Sequence, residues 1–134
     1  MIPAPLIVSA VALVRDRTVL MVTARDRDVY YMPGGKVDPG ETSAQAAARE
    51  AFEEVSLRLS PDDLEDLFEV RTQAHGEPDG RQVHMRVFRA WTDDEPVASN
   101  EVGAIHWTTS GDADRCPPAG VEVLRRLVEL GLID

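Results

Sequence analysis

Residues 33–57 read PGGKVDPGETSAQAAAREAFEEVSL, and this stretch decides how the rest of the chain is interpreted. Its second part has the pattern of a helix over residues 42–55, because Thr42 is followed three positions later by Gln45, the spacing of a capping box. The Pro33-Gly34-Gly35 sequence before it is typical of a loop. We therefore predict a Gly-rich loop that leads into a helix.

The predicted helix carries an acidic face. At 100° per residue, Glu50, Glu53 and Glu54 lie within about 100° of one another. They repel by about 0.2–0.5 kcal/mol per neighbouring pair, and the negative end of the helix dipole disfavours them further. A solvated acidic face is one interpretation, and a site for Mg²⁺, which prefers oxygen ligands, is the other. The opposite side is predicted to pack on the core, and it consists of Ala44, Ala48, Ala51, Phe52 and Val55.

The spacing of these residues resembles the Nudix box. Gly35 is followed after five residues by Glu41 and after seven more by REAFEEVSL, which occupies residues 49–57. Ser56 stands where the family usually has Gly. A Ser at positive φ costs about 1 kcal/mol, so we expect the end of this helix to be shaped differently. Ala51 stands where a larger aliphatic residue is usual, which changes the packing volume and removes no carboxylate.

The resemblance implies a metal-dependent hydrolase. Nudix enzymes hydrolyse nucleoside diphosphates linked to another moiety and use Mg²⁺ or Mn²⁺. The implied metal ligands are Glu50, Glu53 and Glu54, with the Gly35 carbonyl as a fourth. Water would attack phosphorus, with one of Glu53 or Glu54 acting as the base or orienting the water.

Three further charged residues each have a functional and an ordinary interpretation. Arg49 resembles the box arginine that holds a glutamate in place, and it is equally an i,i+4 surface partner of Glu53. Glu41 would support the loop or a metal-bound water, or it is a favourable charge at the helix N-terminus. Glu101 precedes a late strand that ends in Trp, where several Nudix enzymes place a further catalytic or metal-binding glutamate. It is equally an ordinary loop carboxylate.

Outside this segment the chain shows strand patterns and one more helix. Strands are predicted over residues 5–14 and 18–24, joined as a hairpin, and over 64–74, 82–91 and 101–108. A second helix is predicted to begin at Pro117-Pro118 and to close at Gly131, with an apolar stripe of Val121, Leu124, Leu127 and Val128. This order indicates an α/β fold, a mixed sheet flanked by helices, as in the Nudix-type α/β/α sandwich.

Length and composition exclude several classes of protein. With 134 residues, 43% of them apolar, the chain is predicted to form one domain over residues 1–134. No apolar run approaches the ~20 residues that span a membrane, and the start lacks the basic region of a signal peptide. One cysteine, Cys116, predicts no internal disulfide and a cytoplasmic location. A net charge of −10 disfavours binding to a nucleic acid polymer.

The leading functional prediction is a MutT-like, Mg²⁺-dependent pyrophosphohydrolase that acts on a small nucleotide such as a nucleoside triphosphate. A nucleotide-sugar or dinucleotide hydrolase is the alternative within this class. ADP-ribose is disfavoured, because the proline that often follows the box by about 15 residues in such enzymes is replaced here by Arg71-Thr72-Gln73. A Nudix-fold sensor that binds nucleotide or metal without turnover is the alternative from another class. The sequence leaves the oligomeric state open, a homodimer included.

Reactive side chains outside the box have ordinary interpretations. His75, His84 and His106 lack the spacing of metal ligands, so we expect them to be structural or exposed. Cys116 has no obvious partnering base, so we do not expect it to be a nucleophile. Tyr30, Tyr31, Trp91 and Trp107 offer faces that stack on a nucleobase, although core or edge positions are commoner for aromatic residues.

Overall fold

The computed structural model describes residues 3–134, which form a mixed β-sheet with a helix on each face. Short 3₁₀ helices occupy Pro61–Asp63 and Ser110–Arg115. The strands and helices, in chain order, are β1 (Leu6–Arg15), β2 (Thr18–Ala24), β3 (Gly34–Lys36), α1 (Ser43–Val55), β4 (Glu65–Gln73), β5 (Gln82–Ala90), β6 (Val102–Thr108) and α2 (Pro118–Glu129).

Strand β1 organises the sheet, whose order is β4-β5-β1-β2-β6. It runs parallel to β5 from the Leu6–Val83 pair to the Leu13–Ala90 pair, and the other strand pairs are antiparallel. On its other edge, β3 pairs with the first half of β1 and β2 with its last two residues. The predicted hairpin of β1 and β2 and the predicted mixed sheet are both confirmed.

The alternation of side chains along β1 and β2 divides the core between the two faces of the sheet. One cluster joins Ala10 and Ala12 to residues of α2, and the other joins Val11 and Leu13 to residues of α1. Each helix thus covers one face, and the α/β/α arrangement is confirmed. The helix residues at the centre of these clusters are Val123, Leu124 and Leu127 in α2 and Ala47, Ala51 and Val55 in α1.

The prediction of a loop at residues 33–35 is wrong for Gly34 and Gly35. These two residues begin β3, where Gly34 pairs with Ala10 and Gly35 pairs with Ser9. A Cβ at Gly34 would lie 2.2 Å from the Ser9 carbonyl oxygen. Glycine is therefore required at position 34 because the backbones approach each other closely, and not because the chain turns there.

Both helices bury part of the face that their apolar patterns predict and differ in the rest. Ala48, Ala51 and Val55 in α1 and Leu124 and Leu127 in α2 are buried as predicted. In α1, Phe52 is 46% exposed and lies under the Arg58 guanidinium, whose carbon is 4.7 Å from the ring centroid, while Ala47 is fully buried. In α2, Val121 and Val128 are each 41% exposed, and Val123 is fully buried. The sheet selects the packed face, and small side chains such as alanine let α1 approach it closely.

The end of α1 also differs from expectation. Ser56 adopts the left-handed conformation with φ of 61°, so the chain leaves the helix in the way that glycine usually permits. Its N–H donates to the Phe52 carbonyl at 3.1 Å, and the Leu57 N–H donates to the Ala51 carbonyl at 3.4 Å. Full burial of Leu57 just beyond the turn fixes this exit. Ser56 therefore replaces the usual glycine without changing the shape of the helix end.

Across residues 3–134, no helix combines the length and apolar character that a membrane crossing needs.

Candidate active site

The structure brings the four predicted glutamates together in one cleft of about 420 Å³. Glu50, Glu53 and Glu54 enter it from the last turns of α1, and Glu101 enters from the residues just before β6. Tyr31 and Asn100 complete the polar part of the lining. No motif in the sequence marks Asn100. For Tyr31 the sequence left open both stacking on a nucleobase and a core or edge position.

Strand β3 forms the wall against which two of these carboxylates rest. The Gly34 N–H donates to Glu54 Oε1 at 3.1 Å. A Cβ at Gly35 would lie 2.6 Å from the carboxyl carbon of Glu50 and 2.8 Å from both of its oxygens. Glycine at both positions therefore has a reason in packing, since any side chain at position 35 would occupy the space that Glu50 fills.

Arg49 links the start of α1 to the acidic cluster. Its Nε and Nη2 atoms donate to the two carboxylate oxygens of Glu41 at 2.8 and 2.9 Å, and its Nη1 donates to Glu50 Oε1 at 2.7 Å. Its distance to Glu53 is longer, 3.7 Å. Arg49 therefore makes both contacts considered for it, one that holds a glutamate of the box and one with Glu53 four residues on. The contact with Glu50 is the shorter of the two.

Glu41 is tied down by the same network. Besides the bonds from Arg49, its carboxylate accepts the Asp38 N–H at 2.9 Å, which closes the turn before α1. These hydrogen bonds, those from Arg49 first, lower the pKa of Glu41 to about 2. Of the functions considered for Glu41, the structure supports the one that stabilises the loop.

Burial and the neighbouring carboxylates act together on Glu54. Burial, followed by the hydrogen bond and charge of neighbouring Glu50, raises the pKa of Glu54 to about 8. In the absence of a cation, burial and the neighbouring Glu50 therefore favour the protonated form of the Glu54 carboxyl group. Glu53 is more accessible, with 44% of its side chain exposed.

The donor set fits a hard divalent cation, although the side chains of residues 3–134 include no ready-made group of three metal-ligating residues. Glu50 is turned toward Arg49, and Glu54 toward the Gly34 amide. The cleft nevertheless offers carboxylate oxygens from one helix face beside the exposed backbone of β3, with no nitrogen or sulfur ligand among its lining residues. This is the ligand chemistry that Mg²⁺ and Mn²⁺ prefer.

Residues that we expected to be structural lie outside this cleft. The His106 ring is 3.1 Å from the Thr23 hydroxyl and stacks on Tyr30 with centroids 4.3 Å apart. Cys116 is half-buried with its sulfur 3.7 Å from that of Met21. Burial, with nearby aspartate charges, raises the pKa of Cys116 to about 11, which disfavours the thiolate that a nucleophile needs.

Comparison with known proteins identifies the family to which the chain belongs. The NUDIX domain model matches residues 5–130. The chain is 33% identical over 123 residues to the NAD-capped RNA hydrolase NudC of Escherichia coli O1:K1 / APEC, an alignment that covers 89% of this chain and 44% of that protein. It therefore spans less than half the length of this curated relative.

Solved structures show the same fold. The Escherichia coli ORF135 protein superposes with a TM-score of 0.75 and 23% identity, covering 96% of this chain and 91% of the other. A bifunctional NMN adenylyltransferase/ADP ribose pyrophosphatase from Francisella tularensis, complexed with AMP and a manganese ion, gives a TM-score of 0.68 and 23% identity, covering 96% of this chain and 42% of the other. Since the family model covers nearly the whole chain and includes the acidic helix, the chain belongs to the NUDIX family.

Proposed function

We propose that this chain is a pyrophosphohydrolase that uses Mg²⁺ or Mn²⁺ to cleave a phosphoanhydride bond in a small nucleoside diphosphate derivative, with a nucleoside triphosphate as the leading substrate. The observation that carries the proposal is the cleft that Glu101 lines together with the three glutamates of α1. A solvated acidic face on α1 would not require a fourth carboxylate, from the segment just before β6, to line the same cavity.

Glu50, Glu53 and Glu54, with the carbonyl of Gly35, are the proposed metal ligands. The position of Glu50 supports this, because its carboxylate rests against the backbone of β3 and is held there by Arg49. When bound, the divalent ion would neutralise phosphate charge and activate water. A chain with a net charge of −10 and an acidic cleft repels an anionic substrate unless a cation is present.

Among the chain's own residues, we assign the proton transfer to one of Glu53, Glu54 or Glu101. All three line the cleft, so each is placed to orient or deprotonate a water that approaches phosphorus. Arg49 is a positioning residue in this proposal. Its guanidinium group donates to the carboxylates of both Glu41 and Glu50 and fixes their relative positions. These bonds connect the turn before α1 to the acidic face of the helix.

Hydrolysis of a dinucleotide is the second candidate. It is favoured by the relative that is 33% identical over most of this chain and is named for NAD-capped RNA, in which a dinucleotide is attached to a polymer. The net charge of −10 disfavours the polymer itself, so the small-molecule part of such a substrate is the better fit.

The test is a screen for phosphate-containing products. The protein is incubated with nucleoside triphosphates, dinucleotides and nucleotide sugars, in the presence of Mg²⁺, of Mn²⁺ or of excess EDTA. We expect turnover with either metal and none with EDTA. Binding of nucleotide without turnover of any compound would favour the sensor alternative, and full turnover in EDTA would rule out the metal mechanism.

A pair of variants tests the residue that carries the proposal. Glu101→Gln removes one charge from the cleft, and Glu65→Gln removes one from an exposed position on β4, far from it in the sheet order. We expect kcat to fall at least ~10²-fold in Glu101→Gln, the low end for loss of a general acid or base, and to stay within threefold in the control. Equal rates in both variants would make Glu101 an ordinary loop carboxylate.

A further inference from the structure

The segment that leads into Glu101 is bonded to the end of α1 through its backbone. The Ser99 N–H donates to the Glu54 carbonyl at 3.0 Å, and the Val97 N–H donates to the Val55 carbonyl at 2.9 Å. Carbonyls in the last turn of a helix have no partner within the helix, so donors from outside the helix satisfy them. This segment therefore completes the hydrogen bonding of α1 at Glu54, a residue whose carboxylate lines the acidic cleft.

Glu101 lies in a tight turn that begins at this contact. The Val102 N–H donates to the Ser99 carbonyl at 3.0 Å and closes the turn, in which Asn100 has a φ of 57°. Arg25 holds the other side of the turn, because its N–H donates to the Glu101 carbonyl at 3.0 Å and its Nε donates to the Asn100 carbonyl at 3.0 Å. The position of the Glu101 backbone thus depends on where Ser99 meets α1.

Ser56 adds a side-chain hydrogen bond to the same contact. Its Oγ donates to the Val97 carbonyl at 3.2 Å, so both backbone groups of Val97 are bonded to consecutive residues at the end of α1. Ser56 makes this bond at a φ of 61°, a conformation that costs a serine free energy and a glycine almost none. Glycine would end the helix with less strain, but it has no side-chain donor for Val97.

We propose that Ser56 is a positioning residue whose hydroxyl fixes the turn that carries Glu101 against the acidic face of α1. The inference rests on the proposed function, in which Glu101 is one of the residues assigned to proton transfer. It gives a functional reason for serine at a position where the Nudix box usually has glycine. The strain at Ser56 is offset by a bond that aligns two parts of the cleft.

Two neutral substitutions separate the positioning role from a role in helix termination alone. Glycine and asparagine both accept a left-handed backbone, but only asparagine keeps a side-chain N–H that can donate to the Val97 carbonyl. In Ser56→Gly we expect the melting temperature to rise and kcat to fall about threefold. KM should stay within about 1.5-fold, because the role proposed for Glu101 lies in the chemical step. Ser56→Asn should keep kcat within about 1.5-fold of the parent.

Asp16→Gly is the matched control for the change in backbone. It relieves a φ of 50° in the turn between β1 and β2, which does not line the cleft. We expect its melting temperature to rise as in Ser56→Gly and its kcat to match the parent. An equal fall of kcat in both variants would mean that the rate follows backbone strain and would overturn the role of the Ser56 hydroxyl.

A double variant tests whether Ser56 acts through Glu101. In a Glu101→Gln background, Ser56→Gly should not lower kcat further, because the carboxylate that the hydroxyl positions is already absent. Multiplication of the two single effects would show that Ser56 acts independently of Glu101, and the positioning role would then be wrong.

Hydrogen exchange tests the anchoring of the turn without any substrate. The Ser56 hydroxyl bond is exposed, so we take the low end of the range for one hydrogen bond and expect the Val97 and Ser99 amides of Ser56→Gly to exchange about threefold faster. In Ser56→Asn their exchange should match the parent. The Ala74 amide, which donates to the Arg81 carbonyl at 2.9 Å between β4 and β5, should exchange at the parental rate in both variants.

The outcomes separate this proposal from the proposed function. Hydrolysis by the parent with an equal kcat in Ser56→Gly would overturn the positioning role and leave the proposed function standing. The absence of hydrolysis by the parent would refute the proposed function, and faster exchange of Val97 and Ser99 in Ser56→Gly would then still support the anchoring by Ser56. Unchanged exchange of these two amides would overturn the anchoring in either case.

Discussion

Replacing Gly35 by alanine gives the sharpest test of the acidic site, because the structure specifies what the new methyl group would meet. The Cβ would lie 2.6 Å from the carboxyl carbon of Glu50, so that carboxylate must retreat by about 0.8 Å to reach an ordinary contact of 3.4 Å. Misplacement of a reacting or binding group by about 1 Å can cost 10²-fold in rate. We therefore expect kcat/KM of Gly35→Ala to fall about 10²-fold.

The stability of Gly35→Ala should change little. The neighbouring atoms belong to the far end of a flexible side chain, and Gly35 does not have a positive φ. A Gly→Ala change at such a position stabilises a protein by about 0.4–1 kcal/mol through the unfolded state. Weakening of the Arg49–Glu50 ion pair, which is partly exposed, costs about as much. We expect the melting temperature to stay within about 4 °C of the parent value.

Two other glycines are matched controls. In Gly34→Ala the Cβ meets the Ser9 carbonyl oxygen at 2.2 Å, and because backbone cannot move aside, we expect a loss of at least about 2 kcal/mol of stability. In Gly111→Ala the nearest atom is the Thr109 hydroxyl at 3.4 Å, so the rate should match the parent. Its melting temperature should stay level or rise by a few degrees, because nothing there offsets the effect on the unfolded state. Thermal melts and steady-state rates of the three variants are the measurements. A Gly35→Ala protein with parental kcat/KM would refute the proposed use of Glu50.

Four further predictions use the same assays. In Glu54→Gln we expect kcat to fall at least ~10²-fold. The melting temperature should stay level or rise, because the amide oxygen can still accept the Gly34 N–H while one crowded carboxyl group is removed. A purely structural glutamate would give little change in kcat and a lower melting temperature. Mg²⁺ at 100 times its Kd should stabilise the parent by about 2.7 kcal/mol, and the same titration of Glu50→Gln should give a smaller rise in melting temperature. Ser56→Gly should raise the melting temperature, since only glycine adopts a φ of 61° without strain. Ser56→Ala should lower it, because it keeps that strain and loses the hydrogen bond that Ser56 Oγ donates to the Val97 carbonyl at 3.2 Å. Burial raises the pKa of Cys116 from 9.0 to about 11, so the protonated thiol stabilises the folded state. This contribution of Cys116 should be complete below about pH 8.5, where the unfolded thiol is still protonated, and should be lost as the pH rises through 11. Alkaline melts of Cys116→Ala should lack that part of the slope.

The secondary structure was predictable where local signals decide it. The capping box of Thr42 and Gln45 and the start of α2 at Pro118 depend on atoms within one turn of the chain, and they appear where the sequence placed them. The strands followed from runs of β-branched and alternating apolar residues, with ends within a few positions. The box spacing also determined that three glutamates share one face of α1, because helix geometry alone fixes their angles.

What the tertiary structure decided depends on contacts between segments that are distant in sequence. Gly34 and Gly35 form a strand because Ser9 and Ala10 provide the partners, a pairing that no local pattern reports. Ser56 is held at positive φ by the burial of Leu57 beyond it, and Phe52 remains exposed because the sheet is covered by smaller side chains of α1. The site follows the same rule. The spacing of the box predicts which glutamates of α1 share one face. Only the pairing of β2 with β6 brings Glu101 to these glutamates. Only the packing of α2 beside β1 and β5 creates an apolar cavity on the far side of Tyr31.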